Sequence, residues 1–244
     1  MPKTAVRSVD SRRLLADQAY HELLRMITVG DLEPGDRLTE FALCDILGMS
    51  RTPVRQALHQ LAAEGLLVSE PHCGVAVRAL SDAEVVELYL VREAIESQAA
   101  RLAAPLVTEA ELRELYDLCD QMDSPPPTAD LGKRIYRGRQ LDARFHNRLV
   151  ELSRVSALRD LYRRQHLLQL HMFGWNISRL PQHVRFFGNY DGRLGREHRR
   201  VVDALASRDP RQAEDALRTA MQEGIRRHRE GWKKMRAASP AEGR

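Results

Sequence analysis

The sequence predicts a mainly α protein: an N-terminal winged helix-turn-helix followed by an all-α antiparallel helical bundle. Three observations carry this reading. Between Pro34 and Val77 two short helical patterns stand back to back, and two β-rich runs around a glycine follow them. From Ser81 onward the periodic segments are apolar on one face only, as the helices of a bundle must be. Two capping-box sequences and a proline-rich break fall between those segments rather than inside them. Residues 1–79 therefore read as one module, 80–236 as a second, and 237–244 as a tail.

The first dozen residues are polar and read as a mobile arm. Leu15, Ala19, Leu23 and Ile27 then form a helical stripe closed by Gly30. Asp31–Gly35 is a turn. Thr39 can cap a helix carrying Glu40 in its first turn and Leu43, Ile46 and Leu47 on one face, with Gly48 as its stop. Ser50 can cap the next helix, which tolerates Pro53 in its first turn and ends at Gly65. Val54, Ala57, Leu58 and Leu61 are its apolar stripe. Arg51, Thr52, Arg55, Gln56 and His59 fall on the opposite face, and such a helix suits a DNA major groove. Periodicity alone leaves open a plain helical subdomain with solvated arginines. Leu66–Val68 and Val75–Val77, joined by Ser69–Gly74, read as a two-stranded wing.

In the second module, Ser81 and Glu84 open a helix to about Ala104, with Val85, Leu88, Val91, Ile95, Ala99 and Leu102 expected inward. Thr108 and Glu111 open another to about Met122. Ser124–Asp130, with three consecutive prolines, is a stiff break. Helical patterns resume at about Lys133–Leu152, Ser156–Trp175 and Arg193–Ser207. Asp209 followed by Pro210 starts a last helix running to about Met235. The irregular stretch from Asn176 to Gly192 holds Phe186, Phe187 and Tyr190; with Phe173 and Trp175 these aromatics line a pocket or pack in a core.

Composition narrows the function classes. The net charge of +4 suggests nucleic acid at first sight, yet residues 1–78 carry nine Lys/Arg against ten Asp/Glu. Affinity for DNA must then come from local clustering of Arg51, Arg55, Arg37 and the wing. No apolar run is long enough to cross a bilayer, and the N-terminal residues lack the apolar centre of a signal peptide. Cys44, Cys73 and Cys119 are odd in number and scattered, which suits a reducing cytoplasm and small buried side chains rather than a disulfide framework. There is no GxSxG, P-loop or GxGxxG wording.

Asp142 and His146 lie one helical turn apart, flanked by Leu141, Phe145 and Leu149, and so face inward. His198, ahead of Val201, Val202 and Leu205, faces inward from another helix. Two readings stay open: a divalent cation that offsets the buried carboxylate, or hydrogen-bonded core residues. Arg92, beside an apolar stripe, either meets an anionic ligand or pairs internally with a glutamate.

The wording of these segments adds a resemblance. PGDRLTE, then LGMSRTPVRQALHQLAAEGLL and a glycine-containing wing, closely resemble the GntR family of bacterial transcription regulators from about Leu24 to Val77. LYLVREAIESQAARLAA, LDARFHNRL and GREHRRVVDALASRDPRQAEDAL are similar to the effector-binding FCD domain of its FadR subfamily. The resemblance implies double-stranded operator DNA approached by Arg37, Arg51, Thr52, Arg55, His72 and Gly74; because one recognition helix covers only a few base pairs, a homodimer on a palindromic operator is expected. It implies a small-molecule effector, often a carboxylic acid. In metal-containing FCD domains one Asp and three His hold a divalent ion such as zinc, nickel or manganese. Asp142, His146 and His198 match three of them. The fourth position falls at Gly224; either His228, one turn along, substitutes, or a water or effector oxygen completes the shell. Cys73 departs from the usual wing wording.

The resulting expectation is a ligand-responsive, DNA-binding transcription regulator. The rival readings are a metal-dependent enzyme fused to a DNA-binding domain and an architectural protein whose bundle only dimerises.

Overall fold

The computed structural model describes residues 4–70, 74–124, 131–164 and 194–238. These fall into two compact units that divide between Ala79 and Leu80.

The first unit is built from helices α1 (Thr4–Val29), α2 (Glu40–Leu47) and α3 (Arg51–Ala63) and strands β1 (Arg37–Leu38), β2 (Leu67–Glu70) and β3 (Gly74–Val77). The polar N-terminal residues expected as a mobile arm are helical from Thr4. Ala19, Leu23 and Ile27 are buried where α1 packs on α3, whereas Leu15 is 42% exposed. Thr39 caps α2 by accepting from the Ala42 amide at 3.2 Å, and Gly48 ends it in the left-handed region at φ 62°. Only Leu43 of the expected α2 stripe is buried; Ile46 is 59% exposed, because so short a helix has room for one anchoring turn. Ser50 occupies the cap position of α3, but its hydroxyl makes no capping bond. Val54, Ala57, Leu58 and Leu61 are buried as the periodicity requires.

The wing differs from the sequence expectation in two ways. The sheet has three strands in the order β1-β3-β2, all antiparallel, with Arg37 opposite Ala76 and Leu38 opposite Val75. Two residues are too few for periodicity to register, so β1 is invisible in the sequence. Ser69 and Glu70 belong to β2, paired with Val75 and Gly74, rather than to the connection.

The second unit contains α4 (Asp82–Ala103), α5 (Glu109–Asp123), α6 (Leu131–Leu152), α7 (Ser156–Arg164), α8 (Leu194–Ala206) and α9 (Pro210–Ala238). Helix α4 packs along α9 and α6, and α8 packs against α5 and α9. Both capping boxes form: Ser81 with Glu84 and Thr108 with Glu111. Asp209 accepts from the Arg211 and Gln212 amides, and Pro210 begins α9, its missing N–H costing nothing there. The inward face of α4 follows the expected apolar stripe only in part: Val85, Ile95 and Ala99 are buried. Val91 is 42% exposed, and Tyr89, Arg92 and Glu96 are buried in its place. The proline-rich break after Ser124, the latter part of the Ser156–Trp175 pattern, the aromatics from Phe173 to Tyr190, His72, Cys73 and the end of the tail lie outside the described residues. Among the described residues no helix is long and apolar enough to cross a membrane.

Candidate functional site

In the first unit, packing of α3 through its apolar stripe leaves Arg51, Thr52, Arg55, Gln56 and His59 on one exposed face. Arg55 is the best-defined of these. Its Nε and Nη2 donate to Glu40 at 2.7 and 2.8 Å, a bidentate fork reaching from α3 to the first turn of α2. That hydrogen bonding holds the Glu40 carboxyl below its ordinary range. Arg37 is on the exposed side of β1, opposite the buried Leu38. Gly74 opens β3 at φ 88°, and a Cβ there would lie 3.3 Å from the Leu38 carbonyl oxygen, so conformation and space both select glycine. Predicted DNA contacts thus lie on α3, β1 and β3 of this unit.

The second unit brings Asp142, His146 and His198 together as expected: one ligand-capable atom from each lies within 4.8 Å of the others, and all three residues are buried. Asp142 and His146 come from one turn of α6, with Leu141, Phe145 and Leu149 anchoring that face in the core. His198 joins them from α8, held against Phe145 edge to face with ring centroids 4.6 Å apart.

Hydrogen bonds define which nitrogens face inward. His198 Nδ1 donates to the Leu194 carbonyl at 2.8 Å. His146 Nδ1 donates to Glu96 Oε2 at 2.5 Å. Each ring therefore turns its Nε2 to the other across 3.1 Å, with Asp142 Oδ1 at 3.2 Å from His198 and 3.6 Å from His146. Two nitrogen lone pairs at that separation require a positive charge between them, a proton or a metal ion. Asp142 Oδ2 is buried with no hydrogen-bond partner among the described residues. Burial pushes the Asp142 carboxyl up, but the two imidazoles outweigh it and hold it well below the carboxylate range. Burial depresses His146, and Glu96 and Asp142 together outweigh that, raising it. The donor set of two imidazoles and a carboxylate, each imidazole oriented by a partner on its other nitrogen, fits a divalent ion with metal–ligand bonds of ~2.0–2.2 Å.

Two sequence expectations need correction. His228 does not join the cluster: it is fully buried, with Nε2 3.1 Å from Asp82 Oδ1 at the start of α4. Gly224, the expected fourth position, is packed against Tyr89, whose ring carbon would be 2.6 Å from an added Cβ. That side of α9 is filled by a tyrosine ring. Arg92 is buried, and its Nε donates to Glu96 Oε1 at 2.7 Å, the internal glutamate pair that was the second reading of this residue. Its Nη2 has no hydrogen-bond partner among the described residues.

Glu96 was missed altogether. It is fully buried and accepts from Arg92, His146 and the Tyr162 hydroxyl, the last at 3.1 Å. Burial raises its carboxyl, yet Arg92 foremost and then His146 bring it down to about 2. The available signal was Arg92 and Glu96 at i, i+4 within one helix. As the only carboxylate besides Asp142 touching the cluster among the described residues, and already committed to three donors, Glu96 makes a poor general base for a hydrolytic centre.

Comparison with known proteins agrees with this division. Residues 15–77 match the family described as bacterial regulatory proteins, gntR family, and residues 87–223 match the FCD domain. The chain is 33% identical over 177 residues to the Nta operon transcriptional regulator of Aminobacter aminovorans, covering 72% of this chain and 76% of that one. It is 30% identical to the transcriptional regulator LutR of Bacillus subtilis, covering 79% and 91%. Among solved structures, McbR/YncC of E. coli superposes with a TM-score of 0.69 at 23% identity, covering 89% of this chain and 98% of that one.

Proposed function

Because the chain belongs to the GntR family and carries an FCD domain, it is a DNA-binding transcription regulator with a ligand-sensing helical half, and we propose that it senses a small carboxylic acid beside a divalent ion on Asp142, His146 and His198. The observation that carries the proposal is the pair of inward-facing Nε2 atoms next to a buried carboxylate, each ring locked by a partner on its Nδ1. When bound, the ion supplies positive charge to a ligand carboxylate. Zinc, nickel and manganese all accept this donor set. Arg92 Nη2, buried and unpaired among the described residues, is a second group suited to the ligand's carboxylate.

Operator DNA is read by α3, with Arg51, Thr52 and Arg55 on its exposed face and Arg37, His72 and Gly74 contributing from the strands and wing. One recognition helix spans only a few base pairs, so the working species is a cytoplasmic homodimer on a palindromic site. Exposed Leu90 and Val91 on α4 support self-association. Metal analysis of purified wild type and His146→Ala, combined with thermal-shift titration of small carboxylic acids and operator release, tests the reading. The expected result is one divalent ion per wild-type chain, lost in the variant, with an acid that both stabilises the protein and alters DNA affinity. A metal-free wild type that no acid stabilises would overturn it.

A further inference from the structure

Resting on that reading of the cluster, we infer that Glu96 is its positioning residue: one carboxylate sets the tautomer of His146 and ties that imidazole to Arg92. The argument begins with the acceptor-only character of a carboxylate. Glu96 Oε2 lies 2.5 Å from His146 Nδ1, so the hydrogen there belongs to the imidazole, and Nε2 is left as the lone pair facing His198 and Asp142. The other oxygen, Oε1, accepts from Arg92 Nε at 2.7 Å and from the Tyr162 hydroxyl at 3.1 Å. Glu96 thereby joins α4 to α6 through His146 and to α7 through Tyr162, with its side chain fully buried.

The two imidazoles are oriented by different means. For His198 the partner is a backbone carbonyl, that of Leu194, which substitution at that position does not remove. For His146 it is a side chain, so one of the two inward lone pairs depends on a single residue. Glutamine at position 96 is the diagnostic replacement. Arg92 and Tyr162 both donate toward Oε1, so the amide oxygen settles there and the NH2 group turns to His146. Nδ1 must then accept, the ring hydrogen moves to Nε2, and a hydrogen occupies the place from which His146 would hold an ion. The shape of the side chain is almost unchanged.

The experiment reads tautomer and metal affinity separately on the full-length protein. Histidine 15N NMR of the metal-free protein reports which nitrogen of His146 carries hydrogen, and Co(II) absorption with chelator competition reports affinity. In Glu96→Gln the His146 Nδ1 should lose its hydrogen, and Co(II) should bind about 10–100-fold more weakly, the usual cost of losing the partner that orients a ligand. Glu96→Asp, which keeps acceptor-only chemistry, should retain the wild-type tautomer. Because Glu96→Gln strips Arg92 of its counter-charge and so endangers folding, the double variant Arg92→Leu/Glu96→Leu is measured alongside, since apolar replacement of a buried pair is often tolerated. It too should lose Co(II) affinity. Wild-type tautomer in Glu96→Gln, or wild-type affinity in the double variant, would overturn the assignment. If wild type itself bound no Co(II), the metal reading would fall, and the tautomer comparison would still decide the role of Glu96.

Discussion

Arg92–Glu96 and Arg55–Glu40 are arginine–glutamate pairs of the same length in opposite surroundings. Arg92 and Glu96 meet at 2.7 Å with side chains 1% and 0% exposed. Arg55 and Glu40 meet at 2.7 Å with side chains 57% and 34% exposed. In the first pair both charges have left water, a cost of several kcal/mol per ion that only mutual attraction and further hydrogen bonds offset. In the second, water screens the attraction and solvates either partner if they part. Distance is therefore a poor guide to what an ion pair does. The buried pair is committed to the fold and the cluster it supports. The exposed pair keeps a planar guanidinium oriented while leaving it exchangeable for a guanine edge or a phosphate.

The sharpest way to break this contrast is to remove one arginine at a time. Arg92→Ala should destabilise the helical unit by about 3–5 kcal/mol, because it leaves a buried carboxylate without its main counter-charge. The check is the denaturant midpoint. If Arg92→Ala unfolded at the wild-type midpoint, burial would not distinguish the two pairs.

The converse substitution should act on DNA instead. Arg55→Ala should leave the unfolding midpoint unmoved and lower operator affinity by about tenfold to a hundredfold if it removes a base contact. Glu40→Gln removes a negative charge beside the same guanidinium. It should raise affinity for random-sequence DNA and steepen the salt dependence by about one phosphate contact. Fluorescence anisotropy on operator and random duplexes over a salt series measures both. Loss of stability in Arg55→Ala with unchanged DNA binding would reverse the assignment of the pair.

How much of this was legible in the sequence follows the same division between exposed and buried. The exposed face of α3 could be read directly, because a helix packed through Val54, Ala57, Leu58 and Leu61 has only one other side to show. Asp142, His146 and His198 could be placed inward from their apolar neighbours. Periodicity failed where polar residues are buried for one another's sake. On α4, Val91 was expected inward and is 42% exposed, whereas Glu96, outside the apolar stripe, is buried among three donors that lie up to 66 positions away. Gly224 is a similar case. It read as a missing ligand in a helix where any side chain would help, but the Tyr89 ring fills the space, so Gly224→His meets a steric cost before it can reach an ion. The two-residue strand β1 and the pairing of Arg55 with Glu40 are likewise tertiary facts with no local pattern.

Glu111 lies between the two extremes and sharpens the comparison with the smallest effect. It is the third helical residue of α5, where its Oε2 accepts from the Thr108 amide at 3.0 Å, and its other oxygen accepts from Arg154 at 2.6 Å. Its side chain is 14% exposed. Burial raises this carboxyl, but the Thr108 bonds and Arg154 outweigh burial and bring it from an ordinary 4.5 down to about 2. A depressed carboxyl stabilises the fold fully above its unfolded value and loses that contribution as pH falls through the folded one. The window is therefore about 4.5 down to about 2. Glu111→Gln preserves the capping geometry and removes only the charge. At neutral pH it should cost about 1 kcal/mol, the margin of a charge-assisted over a neutral hydrogen bond. The gap between wild type and variant should close as the pH descends through that window. Thermal unfolding of both proteins at a series of pH values measures it. A gap independent of pH would show that Glu111 contributes shape alone.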